Sequence, residues 1–166
     1  VTYDQVVKID RPINKRRLWL ALISAMSLVG GCLIYAFIRV TPTYFETYIG
    51  LFFDTSFFVN HSIHIQHKTL RVLVNSFAAD ALWMLSFSTG LYLVFSSIMN
   101  VRSRRYICFL VAVAVGLILE YLQAAEVIAG TFDCWDIFTY IVFSYTGIGI
   151  ASMIDQPKEV RDDTKA

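Results

Sequence analysis

Charge is scarce in this chain. Only 16% of its residues are Asp, Glu, Lys or Arg, against 57% hydrophobic, and its mean hydropathy is +0.58. Soluble domains carry about 25% charged and about 45–50% apolar residues, so an ordinary soluble fold is excluded and an integral membrane protein is expected. Cysteine is nearly absent as well. Cys32, Cys108 and Cys134 form no CxxC and no finger spacing, which excludes a disulfide framework and a zinc site and leaves them as small apolar residues. A net charge of +1 without a basic stripe gives no nucleic-acid footprint. The usual catalytic signatures are missing too: G-x-S-x-G, a Ser-His-Asp order, H-E-x-x-H, and the Arg-Pro and Ser-Arg-His pairs of lipid phosphatases. A cleavable signal peptide is not expected, because the first apolar run, about 21 residues, is longer than a signal core and has no small-residue cleavage site.

What is present is a succession of apolar runs. The reading is all-α: a polytopic membrane protein with four transmembrane helices and an outer interfacial helix. Residues 1–17 form a cytoplasmic segment ending in Lys15, Arg16 and Arg17, residues 18–154 a four-helix membrane domain, and residues 155–166 a cytoplasmic tail. The spans are expected at about 18–38, 77–99, 106–125 and 137–154, each near the length that crosses a bilayer core, with an outer loop over 39–71. Eleven of the fourteen basic residues lie in the amino-terminal segment, the loop at Arg102, Arg104 and Arg105, or the tail; Arg39, Lys68 and Arg71 lie on the other side. By the positive-inside rule both termini are cytoplasmic.

In the outer loop, residues 44–59 are rich in aromatics but interrupted by Glu46 and Asp54, so they read as a helix lying in the interface, with a re-entrant segment as the alternative. His61, His64 and His67 follow at spacings of three. That spacing invites a transition-metal reading, but no neighbouring carboxylate completes a site, and contact with lipid headgroups is the simpler reading.

The acidic residues are the informative ones. A charge inside a membrane helix costs about 2.5–3.5 kcal/mol on insertion scales, so Glu120 near the end of the third apolar run requires a reason. Ala112, Gly116 and Glu120 recur every four residues, a small-residue stripe that lets another helix approach. Glu120 stands roughly 21 Å above Tyr106 by helical rise, Asp80 lies one turn inside the second span, and Asp133 and Asp136 open the fourth. With the topology above, all four carboxylates reach one outward pocket. Such an oxygen cluster either keeps a proton or recruits a cation, and calcium or magnesium would suit it. Each residue also has a plainer role. Asp133 and Asp136 have the spacing of a helix N-cap and a third-position acid, Glu120 and Gln123 that of an interhelical hydrogen-bond pair, and Asp80 is within reach of headgroups.

The stretch Glu120-Tyr-Leu-Gln123, followed by Gly130-Thr131-Phe132-Asp133 and then Asp136, resembles the hallmark of VanZ-like membrane proteins: a helix ending in E-x-x-Q, then a turn of the type (S/T)-F-D-x-x-D. Residues 75–83, NSFAADALW, are similar to that family's earlier polar-helix motif without the proline and glycine often found there; the resemblance covers about residues 70–153. It implies a small multi-span protein of the bacterial cytoplasmic membrane, in a family named for a member linked to reduced sensitivity to the glycopeptide teicoplanin. It adds Thr131 to a pocket otherwise formed by Asp80, Glu120, Gln123, Asp133 and Asp136.

Three functions are open at this point. The first is a membrane module whose acidic pocket binds a lipid headgroup, a lipid-linked glycan or a glycopeptide. The second is an enzyme acting on an envelope lipid through a carboxylate acid and base. The third is a small proton- or cation-coupled transporter or accessory subunit; four spans without an internal repeat or a Gly/Pro-broken helix pair speak against it. A homo-oligomer or larger membrane complex is expected from the small-residue faces, with membrane lipids as the remaining partners.

Overall fold

The computed structural model describes residues 15–38, 63, 65–128 and 132–155. Among these residues the chain is helical, without strands. α1 covers Lys15–Phe37. α2, Lys68–Leu73, runs through a single π-helical turn, Val74–Ala78, directly into α3, Ala79–Phe95. α4 covers Val101–Ala124 and α5 covers Cys134–Asp155. The segment read as an interfacial helix, residues 44–59, and both His61 and His64 lie outside the described residues.

α1, α4 and α5 are 23, 24 and 22 residues long and apolar enough to cross a membrane. At about 1.5 Å per residue each exceeds the hydrocarbon core of roughly 30 Å. α3 alone has 17 residues, and α2 with the π turn lengthens it into one continuous rod from Lys68 to Phe95. The i→i+5 bonding of the π turn shifts the register between α2 and α3, and Asp80 follows two residues after it. The helix ends are set by local chemistry. Asn100 caps α4, its side-chain oxygen accepting from Ser103 N–H at 2.9 Å, so α4 starts at Val101 rather than at the apolar run near Tyr106.

The outer faces are apolar. Met26 on α1, Leu110 on α4 and Met153 on α5 are each more than 60% exposed, and other large apolar side chains are exposed along the length of these helices. Contiguous apolar surface on this scale suits a surrounding of lipid tails.

Inside, α1 packs along α3, α3 along α5 and α5 along α4. Small and hydroxyl residues bring the helices together, as expected where no hydrophobic drive separates helix from lipid. Ser24 Oγ on α1 donates to the Ser86 carbonyl at 2.9 Å, and a Cβ on Gly31 would stand 3.0 Å from the Trp83 ring. A Cβ on Gly147 of α5 would overlap Ser88 Oγ on α3 and stand 3.2 Å from the Leu85 carbonyl oxygen, so a larger residue there would displace its neighbours. α4 buries one narrow stripe, Arg104, Cys108, Ala112, Gly116 and Glu120, one residue per turn, with an ionisable side chain at each end and small residues between. Facing it, Met84 of α3 and Tyr140 of α5 pack with Ala112, and Tyr92 of α3 with Cys108, Ile148 and Ala151 lower down.

Candidate functional site

The upper end of this seam gathers the carboxylates. Glu120 comes from the last turns of α4 and is 1% exposed. Its two oxygens are each engaged: the Tyr140 hydroxyl donates to Oε1 at 2.9 Å, and the Asp133 backbone N–H donates to Oε2 at 3.3 Å. Tyr140 reaches Glu120 because Gly116 leaves room; a Cβ there would lie 2.6 Å from Tyr140 Cδ2 and 2.9 Å from Cγ. Asp80, half-buried on α3, accepts from the Tyr35 hydroxyl of α1 at 2.9 Å. Glu120 accepts from the Tyr140 hydroxyl, and Asp80 of α3 and Asp136 of α5 lie within electrostatic reach of the same phenol.

Asp133 is the N-cap of α5. Its Oδ1 accepts from Trp135 N–H at 2.9 Å and its carbonyl accepts from Asp136 N–H at 3.0 Å. In a capping box the N–H of the capping residue goes to the third-position acid; here it is directed to Glu120, which ties the start of α5 to the end of α4. Asp136, half-buried in the first turn of α5, is thereby placed beside Tyr140 one turn further on.

The remaining candidates divide. Gln123 is half-buried and makes no hydrogen bond with Glu120; its backbone carbonyl accepts from Glu126 N–H at 3.0 Å. Thr131 lies outside the described residues. Among the described residues no three His, Cys, Asp or Glu side chains are placed to hold a metal ion, so these carboxylates do not form a ligand set there. His67 is exposed at the start of α2. Two residues that the sequence reading passed over, Tyr140 and Tyr35, supply the donors. For Tyr140 a signal was available: it stands four residues after Asp136, as Gly116 stands four before Glu120, so each shares a helix face with a carboxylate.

Compared with protein-family models, with curated proteins and with solved structures, the chain matches none.

Proposed function

We propose that the chain is a multi-pass protein of the bacterial cytoplasmic membrane, with four spans and both termini cytoplasmic, whose outer acidic pocket binds an envelope component. The observation that carries this reading is the gathering of acids at one end of a bundle whose other end is basic: Glu120 held by Tyr140 and Asp133, Asp80 held by Tyr35, and Asp136 in the turn before Tyr140. The resemblance of the motif from Glu120 to Asp136 to VanZ-like proteins supports the same assignment.

The roles within the pocket differ. Glu120 is sealed by Tyr140 and Asp133 and holds the two helix ends together, whereas Asp80, which accepts from Tyr35, and Asp136 are only half-buried and are the carboxylates more accessible to a ligand. Ionised carboxylates are acceptors only, so the pocket favours a partner rich in hydroxyl or ammonium groups: a lipid-linked glycan, a glycopeptide, or an amine-bearing headgroup. A homo-oligomer or larger complex would form through faces such as that of Gly149, where an added Cβ meets nothing.

The test is a titration of the purified protein in detergent with teicoplanin and, separately, with an undecaprenyl-linked disaccharide. Asp80→Asn and Asp136→Asn, both of which leave the Glu120 bonds in place, are expected to weaken binding of one of these probes at least about tenfold, the loss of one charge-assisted contact. Affinity unchanged in both variants, or absent in the wild type for both probes, overturns the binding reading.

A further inference from the structure

The opposite end of the bundle carries a second cluster that the acidic pocket does not use. Arg104, in the first turn of α4, is 3% exposed; it pairs through Nη2 with the Asp155 carboxylate at the end of α5, and its guanidinium lies 4.3 Å from the centre of the Tyr92 ring. Arg16 Nη1 donates to the Asp155 carbonyl at 3.3 Å. Among the described residues this end holds Lys15, Arg16, Arg17, Arg102, Arg104 and Arg105 against a single acid, Asp155.

Four buried polar atoms here make no hydrogen bond among the described residues: Tyr92 Oη, Ser96 Oγ, Arg104 Nε and Arg105 Nε. They are neighbours. Tyr92, wholly buried, and Ser96 are one turn apart at the end of α3; the Arg104 guanidinium lies over the Tyr92 ring, and the Arg105 side chain approaches the Tyr92 hydroxyl without reaching full hydrogen-bond geometry. Every one of the four can donate. Buried donors are rarely left unpaired, and Asp155 is already engaged by Arg104. A neutral acceptor would satisfy a donor without balancing the charge. An anionic oxygen group does both, accepting from several donors and offsetting the surplus of arginine.

We propose that this basic end binds the phosphate group of an anionic phospholipid, with Arg105 and Arg104 Nε as its cationic donors and the Tyr92 and Ser96 hydroxyls beneath. The choice of a lipid over free phosphate rests on what surrounds the cluster. It lies where α3 ends and α4 begins, beside the exposed apolar side chains of Val94, Ile98 and Val101, a surface suited to an acyl chain. Basic pockets at the cytoplasmic end of helix bundles hold such headgroups, and the surplus of arginine and lysine assigns this end to that leaflet under the four-span reading. Arg105 is half-buried and lies outside the buried stripe of α4.

The experiment uses the full chain in nanodiscs of phosphatidylcholine with and without phosphatidylglycerol, reading lipid retention by native mass spectrometry and the midpoint of thermal unfolding. Wild type should retain phosphatidylglycerol at least about tenfold over phosphatidylcholine, and Arg105→Gln should lose that preference. Tyr92→Phe separates the site from mere packing. It should lower phosphatidylglycerol retention, yet leave the midpoint in pure phosphatidylcholine unchanged or raised, because an unpaired buried hydroxyl has gone. Should Arg105→Gln fail to fold, Ser96→Ala read in the same way decides the matter, with reduced retention expected. Equal retention of the two lipids, or full preference in both Tyr92→Phe and Ser96→Ala, overturns the proposal. Protection of the protein in pure phosphatidylcholine by millimolar inorganic phosphate, matching that of phosphatidylglycerol, overturns the lipid as the source. Binding of teicoplanin or glycan at the acidic end should be unchanged in these variants, so the two proposals fail independently.

Discussion

The Tyr140 hydroxyl donates to Glu120 Oε1 at 2.9 Å across the packing of α5 on α4, and glycine at 116 leaves the room its ring occupies, since a Cβ there would lie 2.6 Å from Tyr140 Cδ2. This one bond joins the helix that carries the buried acid to the helix that carries Asp136. It also explains how a carboxylate at 1% exposure is kept in an apolar bundle, since the cost of burial falls when each oxygen has a donor.

Two substitutions separate the geometry from the chemistry. Gly116→Ala forces a Cβ into the Tyr140 ring and is expected to destabilise the protein by about 1–3 kcal/mol, as overpacking does. Tyr140→Phe keeps the ring and removes one donor from a buried carboxylate, for a loss of about 1–3 kcal/mol. Thermal unfolding in detergent checks both, and the double variant should lose less than the sum, because the alanine already displaces the hydroxyl.

Asp133 gives a sharper test of role. As an N-cap its oxygen can come from asparagine, so Asp133→Asn should fold and bind as the wild type does, whereas Asp133→Ala should cost about 0.5–2 kcal/mol. Asp136→Asn should fold equally well and lose ligand. If Asp133→Asn proves as damaging to binding as Asp136→Asn, the division of labour between cap and pocket is wrong.

How far the sequence carried this structure depends on the interaction in question. Long apolar runs are a one-dimensional signal, and they announced the helices of α1, α4 and α5. The four-residue recurrence of Ala112, Gly116 and Glu120 is equally direct, and it proved to be the buried stripe of α4. Arg104 belongs to the same stripe but reads in the sequence as one more loop cation; only its pairing with Asp155, 51 residues away, shows it to be buried. Tyr35 and Tyr140 were missed for a related reason, since a tyrosine in a membrane helix resembles any other aromatic until its hydroxyl is seen to face an acid from another helix. The π turn before Asp80 leaves no composition signal at all: Val74–Ala78 holds no proline or glycine.

The pair at the basic end should matter for stability in its own right. Asp155→Asn removes the charge that Arg104 faces and leaves a guanidinium at 3% exposure over Tyr92. Breaking a buried pair from one side costs about 3–5 kcal/mol, and the partial exposure of Asp155 places this one toward the lower end. The double change Arg104→Met with Asp155→Asn should recover part of the loss in an unfolding experiment. No recovery would mean that Arg104 serves the fold through Tyr92 rather than through Asp155.

The end of α4 supplies the last prediction. Val127 N–H donates to the Leu122 carbonyl at 2.9 Å and Glu126 N–H to that of Gln123 at 3.0 Å, the paired bonds that close a helix through a left-handed residue. That residue is Glu126, with φ of 55°, where glycine is usual. A side chain in this region costs roughly 1–2 kcal/mol in local strain, and glycine returns part of the gain as entropy of the unfolded chain. Glu126→Gly should therefore raise stability by up to about 1 kcal/mol, with Glu126→Asn between the two and Glu126→Val, β-branched, clearly worse. The same ranking must appear without any change at the acidic end, because neither of the bonds from Tyr140 and Asp133 to Glu120 involves Glu126 or the bonds that close the turn. Stability that falls in Glu126→Gly would show that the glutamate side chain makes a contact worth more than the strain it imposes on the backbone.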